Sequence, residues 1–341
     1  MTTPILAIAL FLISAFITRG LVANSHRFSQ MDIPNERSSH LTPTPRGGGL
    51  SFVATSIVGF LLLTLNSTID RADHLALCCA GAIVAIAGHL DDRRKISGAT
   101  VRLVVHAIGA IILIVGIGFP SQISLFDRTV NTGTIGSILG VLYLVWLLNL
   151  FNFMDGTDGI AASEAIFVLL AGAILNHHVL TGINHSAAAL ILAASIFGFL
   201  LYNWSPAEIF MGDVGSGYLG IAIGGLSLMA AKQQPELLWV WIILLGVFVS
   251  DATITLIRRL LGKQKPHVAH RSHAYQHLAI RFGSHAKVSL LVLAVNVVWL
   301  LPIAFLVADK QLSGTTGVVV AYVPLLLTVL ALGAGKDSAT N

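Results

Sequence analysis

The chain has 341 residues, of which 55% are hydrophobic and only 11% charged, with a mean hydropathy of +0.83. Soluble domains carry about 25% charged residues, so this composition excludes a water-soluble globule. The net charge of +4 is no sign of nucleic-acid binding, because in a membrane protein the placement of Lys and Arg matters more than their sum.

About 20 apolar residues cross the hydrocarbon layer as a helix. Eleven such stretches are expected, beginning near Pro4, Gly48, His74, Val101, Thr134, Gly159, Ser186, Val214, Leu237, Ala286 and Thr315. They leave no room for a separate soluble domain, so residues 1–341 read as one all-α polytopic bundle. The first span lacks the basic leader of a cleavable signal and reads as a retained helix. If it starts outside, one face carries Arg71, Arg128, Lys232 and Lys310, and the opposite face carries the other sixteen of the twenty Lys and Arg residues. That asymmetry predicts a periplasmic amino terminus and a cytoplasmic carboxyl terminus. Cys78 and Cys79 are adjacent within a span, which suits packing and neither a disulfide nor zinc.

The outward loops are plain, although Ser121 to Gly133 could hold a hairpin turning at Asn131-Thr132-Gly133. The inward loops, 22–47, 90–100, 153–158, 204–213 and 258–285, gather nearly all the polar residues able to do chemistry. Loop 22–47 combines Arg37, His40 and Arg46 and runs into three successive glycines, Gly47 to Gly49, a composition able to wrap phosphate oxygens. It is not a Walker A loop. Asp91 and Asp92 end the third span, where neighbouring carboxylates can bind a hard cation or share a proton, or simply be solvated. Arg102 sits where its side chain can snorkel to an interfacial phosphate, while His106 reads as packing.

Asn149, Asn152, Asp155 and Asp158 recur at every third position, the last two before glycines. Interhelical hydrogen bonding could account for the asparagines. A site of oxygen ligands suited to Mg2+ accounts for all four. Asp213 opens a span among glycines, either as a helix cap or as a ligand for a metal or phosphate. Asp251 lies inside the ninth span and shares a face with Arg258, open between a structural ion pair with a neighbouring helix and catalysis. The last loop holds His267, His270, Arg271, His273, His277 and His285 without any acidic or Cys residue among them. An anion-binding lobe fits it better than zinc.

Taken in order, these motifs resemble one family, the polyprenyl-phosphate N-acetylhexosamine-1-phosphate transferases, from Pro34 to Arg281. The resemblance implies transfer of a sugar 1-phosphate from a UDP-N-acetylhexosamine to undecaprenyl phosphate, with release of UMP. It implies Mg2+ (Mn2+ as the alternative) and an active site on the cytoplasmic side of a bacterial inner membrane. It places Asp91, Asp92 and Asp213 in catalysis and Asn152 and Asp213 on the metal. Substrate binding would fall to Arg37, His40, Arg46, Arg102, Asn149, Asp155, Asp158, His270, Arg271, His273 and His277. The last loop reads His273-Ala-Tyr-Gln-His277 where the family has consecutive histidines, a form most similar to members that start O-antigen on GlcNAc or FucNAc. The implied partners are the two substrates and the bilayer, with a homodimer left open. The rival reading is an ion-coupled transporter of a lipid or sugar, supported by Asp251. A CDP-alcohol phosphotransferase is set aside because Asp158-Gly159 is not followed by the required Arg.

Overall fold

The structure, a computed structural model, describes residues 2–25, 30–34, 42–66, 71–93, 98–126, 128–180, 184–264 and 270–336. Arg37, His40 and His267 lie outside the described residues. In chain order the helices are α1 Thr3–Ala23, α2 Leu50–Asn66, α3 Arg71–Asp92, α4 Ala99–Gly116, α5 Gly133–Phe153, α6 Ile160–Val179, α7 Asn184–Asn203 and α8 Asp213–Gln233. They continue as α9 Glu236–Leu244, α10 Gly246–Leu261, α11 Ala274–Phe282, α12 His285–Val295, α13 Leu301–Ala308 and α14 Gly314–Ala331. A π-helical turn, Asn296–Leu300, joins α12 to α13 in one run of 24 residues.

All eleven expected segments are helical. Among the described residues nine helices are long and apolar enough to cross a membrane. The other two differ from the expectation of straight spans. The segment from Leu237 is broken into α9 and α10, which meet at Leu245-Gly246 with a bend of 71°. The segment from Gly48 gives a helix of 17 residues. The bend places Asp251 in the second helical segment, past the break.

α8 is the axis of the bundle, buried along nearly its whole length and packed on α3 and α5. Its glycines allow that approach. A Cβ on Gly220 would lie 2.6 Å from the Leu147 carbonyl oxygen and the Leu148 Cα of α5, so a larger residue would force the helices apart. The outer helices instead turn apolar side chains outward, including Ile8, Leu12 and Phe16 of α1 and Leu103, Val104 and Val115 of α4. Apolar surface on this scale suits lipid. The protein is a predominantly helical, polytopic membrane protein.

Among the described residues, two antiparallel strand pairs complete the fold. β3 Gln122–Leu125 and β4 Arg128–Asn131 pair with Gln122 opposite Asn131 and Leu125 opposite Arg128. The turn therefore falls between Leu125 and Arg128, and Asn131-Thr132-Gly133, expected to be the turn, leads into α5. The other, not foreseen, pairs β1 Gln30–Asp32 with β2 Thr44–Arg46. Arg46 also bridges to Phe210, and the amides of Gly47 and Gly48 donate to the Phe210 carbonyl at 3.1 and 2.9 Å. This seam brings the glycine-rich loop to the start of α8.

Candidate active site

The end of α3, the start of α8 and β2 converge. Asp92, the last residue of α3, accepts hydrogen bonds from the backbone N–H groups of Asp213 at 2.9 Å and Val214 at 3.1 Å. Asp92 is therefore the cap of α8, in the position where a carboxylate best satisfies free amides and the helix dipole. Asp213, read from sequence as a possible cap, has its carboxylate free for other partners. Arg46 Nη2 donates to its Oδ1 at 2.6 Å, and Asn152 Nδ2 to the same oxygen at 3.0 Å. Arg102 Nη1 lies 3.4 Å from Asp213 Oδ2 and 3.1 Å from Asp91 Oδ2. Arg46 Nε closes the set on Asp92 Oδ1 at 3.0 Å.

Glycines make room for these contacts. Gly212 has φ +77°, which an L side chain rarely adopts, and a Cβ there would sit 2.6 Å from Asp92 Oδ2. A Cβ on Gly88 would fall 2.4 Å from the Asp213 carbonyl oxygen.

Two cavities meet at this cluster. The smaller, about 430 Å³, is lined by polar groups, among them Asp32, Arg46, Asp91 and Asp92. The larger, about 660 Å³, has an apolar wall with Leu103, Trp146 and Leu256, and a polar wall with Asn149, Asp155, His270, His273 and Gln276. Arg102, Asn152 and Asp213 line both.

The electrostatics follow from the geometry. Burial works against the Arg46 charge, but Asp213 and then Asp92 hold the guanidinium above its ordinary pKa. Burial pushes the Asp155 carboxyl well above the usual carboxylate range; Arg46 opposes this, and Asp213, Asp92 and Asp158 add to it. Burial, then His273 and Arg259, lower His270 to about 4, so its ring is neutral at pH 7.

The predicted site residues thus divide. Arg46, Asp91, Asp92, Arg102, Asn152 and Asp213 form the cluster, and Asn149, Asp155, His270 and His273 line the larger cavity. Asn149 also donates to the Val145 carbonyl of its own helix at 2.7 Å. Three others line neither cavity. The Asp158 carboxylate pairs with His285 Nδ1 at 3.2 Å and accepts from the Ala207 amide at 3.3 Å, fastening the 204–207 loop to α12. His277 Nδ1 bonds the Leu332 carbonyl at 2.9 Å, at the end of α14. Arg271 is half-exposed. His270, His273 and His277 do not converge, and among the described residues no group of three His, Cys, Asp or Glu side chains could hold a metal.

Sequence reading missed two features. His106 was assigned to packing, yet it lines the larger cavity and its buried Nδ1 has no hydrogen-bond partner among the described residues. Tyr275 lines the same wall and donates to the Phe153 carbonyl at 3.0 Å; its place in a histidine-rich loop was the available signal. Asp251, left open between an ion pair with a neighbouring helix and catalysis, pairs with His273 at the start of α11.

Comparison with known proteins gives the family. Residues 74–231 match the model of Glycosyl transferase family 4. The chain is 31% identical to the probable undecaprenyl-phosphate N-acetylglucosaminyl 1-phosphate transferase of Bacillus subtilis (strain 168), over 78% of this chain and 74% of that protein. It is 27% identical to the decaprenyl-phosphate N-acetylglucosaminephosphotransferase of Mycolicibacterium smegmatis, over 96% of this chain and 88% of the relative. It is also 29% identical to the phospho-N-acetylmuramoyl-pentapeptide-transferase of Moorella thermoacetica, over 67% and 76% respectively.

Proposed function

The chain belongs to glycosyl transferase family 4, the polyprenyl-phosphate sugar-phosphate transferases, and from that premise we propose the reaction in detail. The protein moves N-acetylhexosamine 1-phosphate from a UDP-sugar to undecaprenyl phosphate at the cytoplasmic face of the inner membrane. UMP is released, and the lipid product starts a surface glycan of the O-antigen type. The observation that carries this reading is the wall shared by the two cavities. Two substrates approaching from two sides would meet at Asp213, Asn152 and Arg102.

The chemistry is a single displacement. An oxygen of the lipid phosphate attacks the phosphorus bearing the sugar, a new P–O bond forms, and the bond to UMP breaks with its electron pair leaving on UMP. A phosphate monoester has its second pKa near 6, so the nucleophile is already mostly dianionic at pH 7 and needs no strong base. Phosphoryl transfer then depends on alignment and charge neutralisation. Arg102 and Arg46 supply positive charge, and the His270–His273 wall receives the donor. Asp92 serves by position, since its oxygens are already committed to two amides and Arg46.

The donor set suits Mg2+. Asp91 and Asp213 both line the smaller cavity and share Arg102 Nη1 at 3.1 and 3.4 Å, so two carboxylate oxygens face one space. Mg2+ is usually held by one or two carboxylates together with substrate phosphates and water. Asp213 and Asp91 would hold it, with Asn152 joining once its amide turns its oxygen toward the ion. The ion would neutralise developing charge on the diphosphate.

The test is purified protein in lipid nanodiscs with undecaprenyl phosphate, Mg2+ and a panel of UDP-N-acetylhexosamines. We expect a lipid-linked sugar phosphate and one UMP for each transfer with at least one donor. No lipid product from any of them would overturn the reading.

A further inference from the structure

Asp251 lines neither cavity, and the 71° bend places it on α10 directly behind the histidine loop. Its Oδ1 accepts from the Ala274 amide at 3.0 Å and the Thr255 hydroxyl at 3.0 Å, and lies 3.2 Å from His273 Nδ1. Its Oδ2 accepts from the Tyr275 amide at 2.9 Å. Asp251 and His273 are 2% and 3% exposed, so water does not compete for these contacts. The ring of His273 is further held by His270, stacked with centroids 5.1 Å apart, and by Tyr275 and Phe153 at 5.6 and 6.3 Å. The ring also forms part of the larger cavity's wall.

A carboxylate surrounded by N–H and O–H donors acts only as an acceptor. The proton of the imidazole is then on Nδ1, which leaves Nε2 for the cavity. A carboxylate behind a histidine fixes tautomer and ring orientation in this way. We propose that Asp251 is a positioning residue for the transfer: it pins the first amides of α11 and sets His273 so that Nε2 is presented to the sugar nucleotide. This rests on the transfer reading above. Asp251 acts through His273 and touches no substrate itself.

Two measurements test it. In protein labelled with 15N-histidine and held in nanodiscs, the His273 signals are identified by their loss in His273→Gln. The wild type should carry its proton on Nδ1, and Asp251→Asn should remove that signature. A wild-type spectrum with a bare Nδ1 would overturn the proposal, and this arm needs no folded Asp251 variant. The second measurement is a double-mutant cycle on UMP release. Asp251→Asn should lower kcat by about 10–100-fold with little change in KM for the donor. In the His273→Gln background the same substitution should cost almost nothing more, because residues acting as one unit are not additive. Two losses that simply multiply would reduce Asp251 to a structural cap and contradict the proposal. Absence of turnover from the wild type with every donor would instead strike the transfer reading, and the nitrogen spectra would still decide whether Asp251 sets His273.

Discussion

α8 and α11 each begin on a carboxylate brought in by another helix, and the two arrangements differ in what else the carboxylate holds. At α8, Asp92 takes two backbone amides and the guanidinium of Arg46, with Asp213 and Asp91 close by and a cavity open beside it. At α11, Asp251 takes two amides, a hydroxyl and His273, all within a closed region. The first cap stands among charges that an incoming phosphate can exchange partners with. The second keeps the partners it has. In the proposed function the same local device serves a reacting centre in one place and orients a side chain in the other.

The contrast is broken most severely by removing the carboxylate that the first cap delivers. Asp213→Ala should lower turnover by about 10³-fold or more, on the scale of losing a main electrostatic contact to the reacting group. Its thermal unfolding should change little, because the amides of α8 remain on Asp92. Retained activity would remove Asp213 from the centre. Asp92→Asn should come next, losing activity and also stability, by about 1.5–3 kcal/mol for charge-assisted hydrogen bonds. If raising the pH restored its activity in full, Asp92 would be a base and not a positioning group.

Gly212→Ala tests the same cap without touching a charge. The alanine would have to keep φ +77° with ψ 172°, a backbone region essentially confined to glycine and costing roughly 1–3 kcal/mol, and would press on Asp92. A lowered unfolding temperature with a weaker loss of activity than Asp92→Asn is expected. Gly20→Ala, with open space around it, is the control and should be silent.

The smallest effect concerns Asp158, where burial raises the carboxyl but the hydrogen bond and charge of His285, with the Ala207 amide, outweigh it and hold it below the ordinary range. A depressed carboxyl stabilises the fold above its unfolded value of about 3.9, and that contribution is lost as pH falls through the lower folded value. Asp158→Asn should therefore flatten the acid limb of stability below about pH 4, seen as unfolding temperature against pH, while changing turnover little. A large loss of turnover at neutral pH would return Asp158 to the substrate site.

What could be read from the sequence followed physical locality. The helical segments were legible because each apolar run is itself the cause of its helix. Asp91, Asp92, Asn152 and Asp213 were legible because a polar group beside a long apolar run is costly without a purpose. The identity of the cap was not legible. Asp213 is at the right place in the chain to cap α8, but Asp92 does so across a gap of more than a hundred residues, a matter of how α3 and α8 pack. The pairing of Asp251 with His273 depends on the bend at Leu245-Gly246, which a window of hydropathy averages away. His277 and Asp158 share loops with residues that line the cavities, yet the backbone of α11 turns one toward α14 and Asp158 meets His285 of α12. Spacing assigned them to a neighbourhood and could not assign a direction.

The central claim is that donor and acceptor occupy two cavities together and react across the wall they share at Asp213. Initial rates of UMP release over a matrix of UDP-sugar and undecaprenyl phosphate concentrations test it directly. Simultaneous occupancy predicts reciprocal plots that intersect, and no UMP without the lipid acceptor. Parallel plots, with UMP released before the lipid is added, would mean that the sugar phosphate is first left on the protein, and would contradict the account.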